Sequence, residues 1–141
     1  MFKKIDHIGI AVADLESAMK KYASMTGKQA AHKEIVEAQQ VETVFFPVGD
    51  VRLELLNGTA EDSAITKFIE KRGEGVHHIC FEVDDLEASR KSLSSQGLKF
   101  VDNVPEQGAG GTKVAFIHPK STGGLLIELV EYPDSQKHEL G

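Results

Sequence analysis

Apolar and polar residues alternate in two matching segments of the chain, 7–12 and 78–83. Such alternation predicts a β-strand with one apolar face, and it sets the histidine that begins each segment apart from the apolar residues. Each strand pattern leads into apolar residues at helical spacing, preceded by an aspartate that can accept backbone N–H bonds. We therefore expect two helices, the first capped by Asp14 and the second by Asp84 or Asp85.

Two further stretches, 44–56 and 114–130, each contain a pair of apolar segments separated by a turn with proline and glycine. This pattern predicts a β-hairpin in both places. A third helix is expected at about 63–72, between the two copies of the pattern. Each half of the chain therefore follows the order strand–helix–strand–strand–strand.

The repeat predicts how the whole chain is organised. We expect a single domain over 1–141, made of two tandem βαβββ modules at about 4–57 and 75–133 that are joined by a helical linker. One helix covers one face of a four-stranded sheet and leaves the other face open. Two such modules are expected to form a curved mixed sheet around a cleft, which is an α+β fold class.

Composition narrows the possible partners. The 141 residues include 16 Lys and Arg against 22 Asp and Glu, for a net charge of −6, which disfavours a nucleic-acid partner. No apolar run reaches the length that spans a bilayer and no signal peptide is visible, so we expect no membrane partner. The single cysteine, Cys80, cannot form an internal disulfide. These features favour a cytoplasmic protein.

Four side chains of the kind that bind metals occupy equivalent places in the two halves. His7 and His78 lie opposite the apolar face of their strands, and Glu54 and Glu128 do the same in strands rich in leucine and isoleucine. A single histidine or glutamate of this kind is usually structural. Four at equivalent positions predict a metal-binding cleft, and two imidazoles with two carboxylates suit a divalent ion such as Co, Ni, Zn, Mn or Fe.

This duplicated His/Glu pattern resembles the vicinal-oxygen-chelate superfamily over about 4–133, and several stretches resemble its methylmalonyl-CoA epimerases. They are DHIGIAV, LELL, EDSAI, GVHHIC, and FIHPK followed by GGLLIEL. The resemblance implies a glyoxalase-like fold and an isomerase that interconverts the (2R) and (2S) forms of methylmalonyl-CoA by metal-assisted proton abstraction at C2. It also implies an acyl-CoA substrate, cobalt as the expected ion with Zn, Mn or Ni as alternatives, and a homodimer.

The resemblance implies that Glu128 takes part in proton transfer as well as in metal binding. The second base of the family lies on the strand after a glutamine-rich turn, where an ungapped match puts Thr43. Glu42 is the neighbouring candidate, although it faces the other side of the strand unless a bulge shifts the register. The alternative interpretation of Glu42 is a solvent-facing strand carboxylate.

Three other functions remain open at this point. Glyoxalase I uses the same ligand set on a glutathione hemithioacetal. A metal-free module of the same fold, which binds small molecules, does not need four metal ligands. An extradiol-type Fe(II) dioxygenase uses two histidines and one glutamate, so Glu54 as a fourth ligand disfavours it.

Overall fold

The computed structural model describes residues 1–31, 33–102 and 106–136, so the last five residues of the predicted domain lie outside the described part. Within that part the chain forms eight β-strands and three α-helices, which confirms the predicted α+β class. The elements in chain order are β1 (Lys4–Ala11), α1 (Leu15–Thr26), β2 (Glu34–Val36), β3 (Val41–Val48), β4 (Val51–Gly58), α2 (Ala64–Arg72), β5 (Gly75–Glu82), α3 (Leu86–Ser95), β6 (Glu106–Gln107), β7 (Lys113–Ile117) and β8 (Leu126–Glu131).

Contacts along the chain group it into two compact units. The first unit is His7–His77, and the second unit joins Met1–Asp6 to the chain from His78 onward. The boundaries fall inside β1 and β5, so each of these strands contributes residues to both units. The module bounds derived from the sequence, 4–57 and 75–133, stay a prediction.

In the first unit the strand order is β2-β3-β4-β1. β1 runs parallel to β4, and β3 is antiparallel to both β2 and β4. α1 packs on one face of these strands because its apolar residues recur at helical spacing. The buried core on that face consists of Val12, Leu15, Ala18, Val44, Phe46 and Leu55.

The second unit repeats this arrangement with strand order β5-β8-β7-β6. β5 runs parallel to β8, and β7 is antiparallel to both β8 and β6. The helix on its apolar face is α3. The buried core there consists of Val83, Leu86, Ala115, Ile117 and Leu129.

The first six residues of the chain belong to the second unit and contact it through polar side chains. The Lys3 ammonium lies 3.7 Å from the fully buried Glu82 carboxylate and donates to Asp84 at 3.0 Å. The Tyr132 hydroxyl donates to Asp6 at 2.6 Å. A buried carboxylate is stabilised by such partners, so these residues fix the start of the chain to β5 and β8.

The helices begin where the sequence predicts. The Asp14 carboxylate accepts the Ser17 N–H at 3.1 Å and caps α1. For α3, Asp85 is the cap, because its carboxylate accepts the Ala88 N–H at 3.0 Å. The predicted third helix is confirmed as α2, which Ser63 caps.

Replacing the α3 cap tests this assignment. We expect Asp85→Ala to lower the free energy of unfolding by about 1 kcal/mol, because the first turn of α3 loses an acceptor for its backbone N–H groups. Asp85→Asn retains an acceptor of the same geometry and should unfold like the wild type. Chemical denaturation of the three proteins measures both changes. Equal stability of the Ala and Asn variants would show that the cap contributes nothing.

Candidate metal and proton-transfer site

The first unit holds a buried His–Glu pair. His7 on β1 and Glu54 on β4 belong to adjacent parallel strands, where His7 pairs with Arg52 and Gly9 with Glu54. The Nε2 atom of His7 lies 3.1 Å from Oε1 of Glu54, and their side chains are only 7% and 8% exposed. Strand alternation puts both on the face away from α1, as the sequence predicts.

Three neighbours complete this part of the site. The Phe45 ring meets the His7 ring edge-on at 5.6 Å, and the Arg52 guanidinium lies 4.1 Å from the centre of the Phe45 ring. The fully buried Thr43 hydroxyl donates to Oε2 of Glu54 at 2.8 Å. Both oxygens of the Glu54 carboxylate therefore have a defined partner.

The second unit holds the matching pair. His78 on β5 and Glu128 on β8 approach to 2.9 Å between Nε2 and Oε1, and their side chains are 4% and 7% exposed. Phe116 meets the His78 ring edge-on at 6.3 Å, as Phe45 does with His7. Cys80 pairs with Glu128 across the two strands and is fully buried.

An acidic residue that the sequence analysis missed lies on this face of the second unit. Glu106 on β6 pairs with Val114 on β7, and paired residues of an antiparallel ladder point to the same face. Desolvation is the largest of the effects that together raise the pKa of Glu106 from 4.5 to about 7, and the others are the hydrogen bond and charge of Asp102 and the charge of Glu128. At neutral pH this carboxyl is therefore partly protonated. Its position on a two-residue edge strand left no pattern from which the sequence could locate it.

The two pairs have a donor chemistry that fits a divalent metal ion. Each pair offers an imidazole nitrogen and a carboxylate, and all four residues are buried. Imidazole and carboxylate together suit borderline divalent ions. Two carboxylates held out of water also favour a nearby positive charge.

The structure separates Glu42 from this group of residues. β3 pairs with β4 residue by residue from Val41 to Val48 with no bulge. Glu42 therefore lies on the α1 side of β3, together with the core residues Val44 and Phe46, whereas Thr43 lies on the side of Glu54. The register shift that would bring Glu42 to the ligand side does not occur.

Residues 6–116 match the Glyoxalase/Bleomycin resistance protein/Dioxygenase superfamily. Uncharacterized protein YqjC of Bacillus subtilis is 42% identical over 96% of this chain and 97% of its own length. The ethylmalonyl-CoA/methylmalonyl-CoA epimerase of Cereibacter sphaeroides is 36% identical over 92% of this chain and 98% of its own.

Among solved structures, a methylmalonyl-CoA epimerase in complex with methylmalonyl-CoA and NH4+ is 36% identical, with a TM-score of 0.88 over 95% of this chain and 97% of that one. The comparisons give no support to the glyoxalase I alternative. In the part of the chain that the structure describes, no helix is both long and apolar enough to cross a membrane. The chain belongs to the Glyoxalase/Bleomycin resistance protein/Dioxygenase superfamily and, within it, to the methylmalonyl-CoA epimerase family.

Proposed function

We propose that this protein is a methylmalonyl-CoA epimerase, which interconverts the (2R) and (2S) forms of its substrate by removing and returning the proton at C2. The observation that carries the proposal is a buried His–Glu pair in each unit of a chain with the family's sequence and fold. The methylmalonyl-CoA bound to the related structure supports an acyl-CoA substrate.

The proposed metal ligands are His7, Glu54, His78 and Glu128, whose burial and chemistry suit a divalent ion. An ion held by these residues would supply positive charge that offsets the negative charge developing on the substrate at deprotonation. The finer parts of the proposal come from the sequence and the family resemblance. They are cobalt as the ion, a homodimer, a cytoplasmic location and the absence of nucleic-acid and membrane partners.

Glu128 is the proposed proton-transfer group on one side of C2, where it accepts the proton from one epimer or donates a proton when the other epimer reacts. Glu128 is only 5% exposed. Its cross-strand neighbours are Cys80 on β5, which is buried, and Phe116 on β7. Such a position keeps bulk water away from the carbanion, so that the proton returns from a group of the protein.

Epimerisation needs a second group that serves the opposite side of the planar carbon. Glu42 is the candidate from the sequence, but its position on the α1 side of β3 argues against direct contact with the reacting carbon. The opposite side of β3, which faces Glu54, carries Thr43, and the Thr43 hydroxyl donates a hydrogen bond to Glu54. The rate of C2 exchange after substitution of Glu42 shows whether this residue is the second group.

Deuterium exchange at C2 tests the proposed reaction most directly. We expect metal-loaded protein in heavy water to exchange the C2 proton of methylmalonyl-CoA and to racemise it, because both follow from one deprotonation. Removal of the metal with a chelator should abolish both, and reloading should restore them. If fully loaded protein exchanges no deuterium, the epimerase proposal is wrong. Lactoylglutathione formation from methylglyoxal and glutathione would then identify glyoxalase chemistry, and metal-free ligand binding would identify a binding module.

Three variants test the residue assignments under the same conditions. Glu128→Gln and His7→Ala should each slow C2 exchange by about 100-fold or more, since a general acid–base group or a metal ligand contributes that much to the rate. Glu42→Gln should keep most of the wild-type rate because its carboxylate faces α1. A large loss in Glu42→Gln would restore Glu42 as the second base. Near wild-type rates in both Glu128→Gln and His7→Ala would overturn the site.

The raised pKa of Glu106 predicts a pH dependence of stability. The folded protein retains this proton up to about pH 7, whereas the unfolded chain releases it near the ordinary pKa of 4.5. The resulting stabilisation is present below pH 4.5 and is lost as the pH rises through about 7.

Glu106→Gln carries no ionisable group at this position and should avoid that loss. We expect its melting temperature, relative to wild type, to rise as the pH increases from about 4.5 to about 8. Glu70→Gln, which changes an exposed glutamate of α2, is the control and should not show the trend. A difference between Glu106→Gln and wild type that stays constant with pH would contradict the prediction.

A further inference from the structure

The two glutamates proposed as ligands differ in what lies on the neighbouring strand. Thr43 on β3 and Val114 on β7 occupy equivalent places, because each pairs with the residue two positions after the glutamate of its unit. Residues related in this diagonal way are within reach of each other's side chains. Thr43 thus offers a hydroxyl to Glu54, whereas the equivalent residue of the second unit, Val114, has two methyl groups and no hydroxyl.

The Thr43 hydroxyl makes a well-defined contact with Glu54. It donates to Oε2 at 2.8 Å, while Oε1 of the same carboxylate lies 3.1 Å from Nε2 of His7. Thr43 is fully buried, and a β-branched side chain in a strand has little freedom at χ1. The donor is therefore held in place by the strand itself.

We propose that Thr43 is a positioning residue that fixes the Glu54 carboxylate as a metal ligand of the proposed epimerase. The hydroxyl donates to Oε2, which fixes the orientation of the carboxylate and keeps Oε1 beside the His7 imidazole. Hydrogen bonds of this kind to a ligand orient it and raise metal affinity. Val114 cannot supply the same bond to Glu128, so the two units contribute non-equivalent carboxylates, one of them held by Thr43 and the other assigned to proton transfer. The inference rests on the proposed function for its metal site.

The test compares metal binding by three threonine variants. Thr43→Val removes the hydroxyl at nearly constant volume, and Thr43→Ser retains it. Thr26→Val is the matched control, because the Thr26 hydroxyl donates to the Tyr22 carbonyl at 2.7 Å at the end of α1, apart from the proposed ligands. Each chelator-stripped protein is titrated with Co²⁺, and its visible absorption band is recorded.

We expect Thr43→Val to bind Co²⁺ about 10-fold to 100-fold more weakly than wild type, with a shifted absorption band, which is the usual cost of losing a hydrogen bond to a ligand. Thr43→Ser should bind within about threefold of wild type, and Thr26→Val should be unchanged. Thermal unfolding of the metal-free proteins identifies any variant that has lost its fold. If Thr43→Val has lost it, Thr43→Ala is measured in its place.

The outcomes distinguish this inference from the proposed function. Wild-type affinity in Thr43→Val, or equal weakening in Thr43→Val and Thr43→Ser, would overturn the positioning role. Weakened Co²⁺ binding in a protein whose wild type exchanges no deuterium at C2 would support the positioning role and reject the epimerase proposal. Unchanged Co²⁺ binding in a protein whose wild type does exchange deuterium would do the reverse.

Discussion

A buried carboxylate is the constraint on which the rest of the structure depends. Each unit carries a glutamate on a central strand whose neighbours in sequence are apolar, and a carboxylate in such a place is costly unless a charged or hydrogen-bonding partner meets it. The histidine of the adjacent parallel strand meets this need, at 3.1 Å in the first unit and 2.9 Å in the second. The parallel pairing of the first and last strand of each unit is what brings the two side chains together.

The duplication preserves this pairing and changes its surroundings. An aromatic ring meets the histidine edge-on in both units, from Phe45 and from Phe116. The residue diagonal to the glutamate is Thr43 in the first unit and Val114 in the second. In the second unit, Glu106 also lies on the face of the sheet that carries Glu128. A repeat of one backbone plan therefore provides two carboxylates in different environments, which is how acid–base roles are divided in active sites.

Residue patterning was sufficient to predict the strands that carry the proposed ligands, the helices that pack on these strands, and the face on which each of the four side chains lies. This succeeded because alternation over several residues leaves one assignment of faces. The edge strands β2 and β6 span three and two residues and were not located, since so short a segment has no readable period. The choice between Asp84 and Asp85 as the α3 cap needed the structure, because both can accept the same N–H groups. The Thr43–Glu54 hydrogen bond was also beyond the sequence, since it depends on the register of β3 against β4.

The assignment of the first six residues to the second unit means that this unit is not one contiguous stretch of the chain, whereas the first unit is. A fragment that begins at His78 would lack Lys3 beside the buried Glu82 and Asp6 beside the Tyr132 hydroxyl. The two copies of the sequence pattern follow one another along the chain, yet the second compact unit also includes the short stretch that precedes the first copy. Cleavage or modification near the N-terminus should therefore first disturb the packing around β5 and β8. These strands carry His78 and Glu128 and lie about seventy residues or more away in sequence.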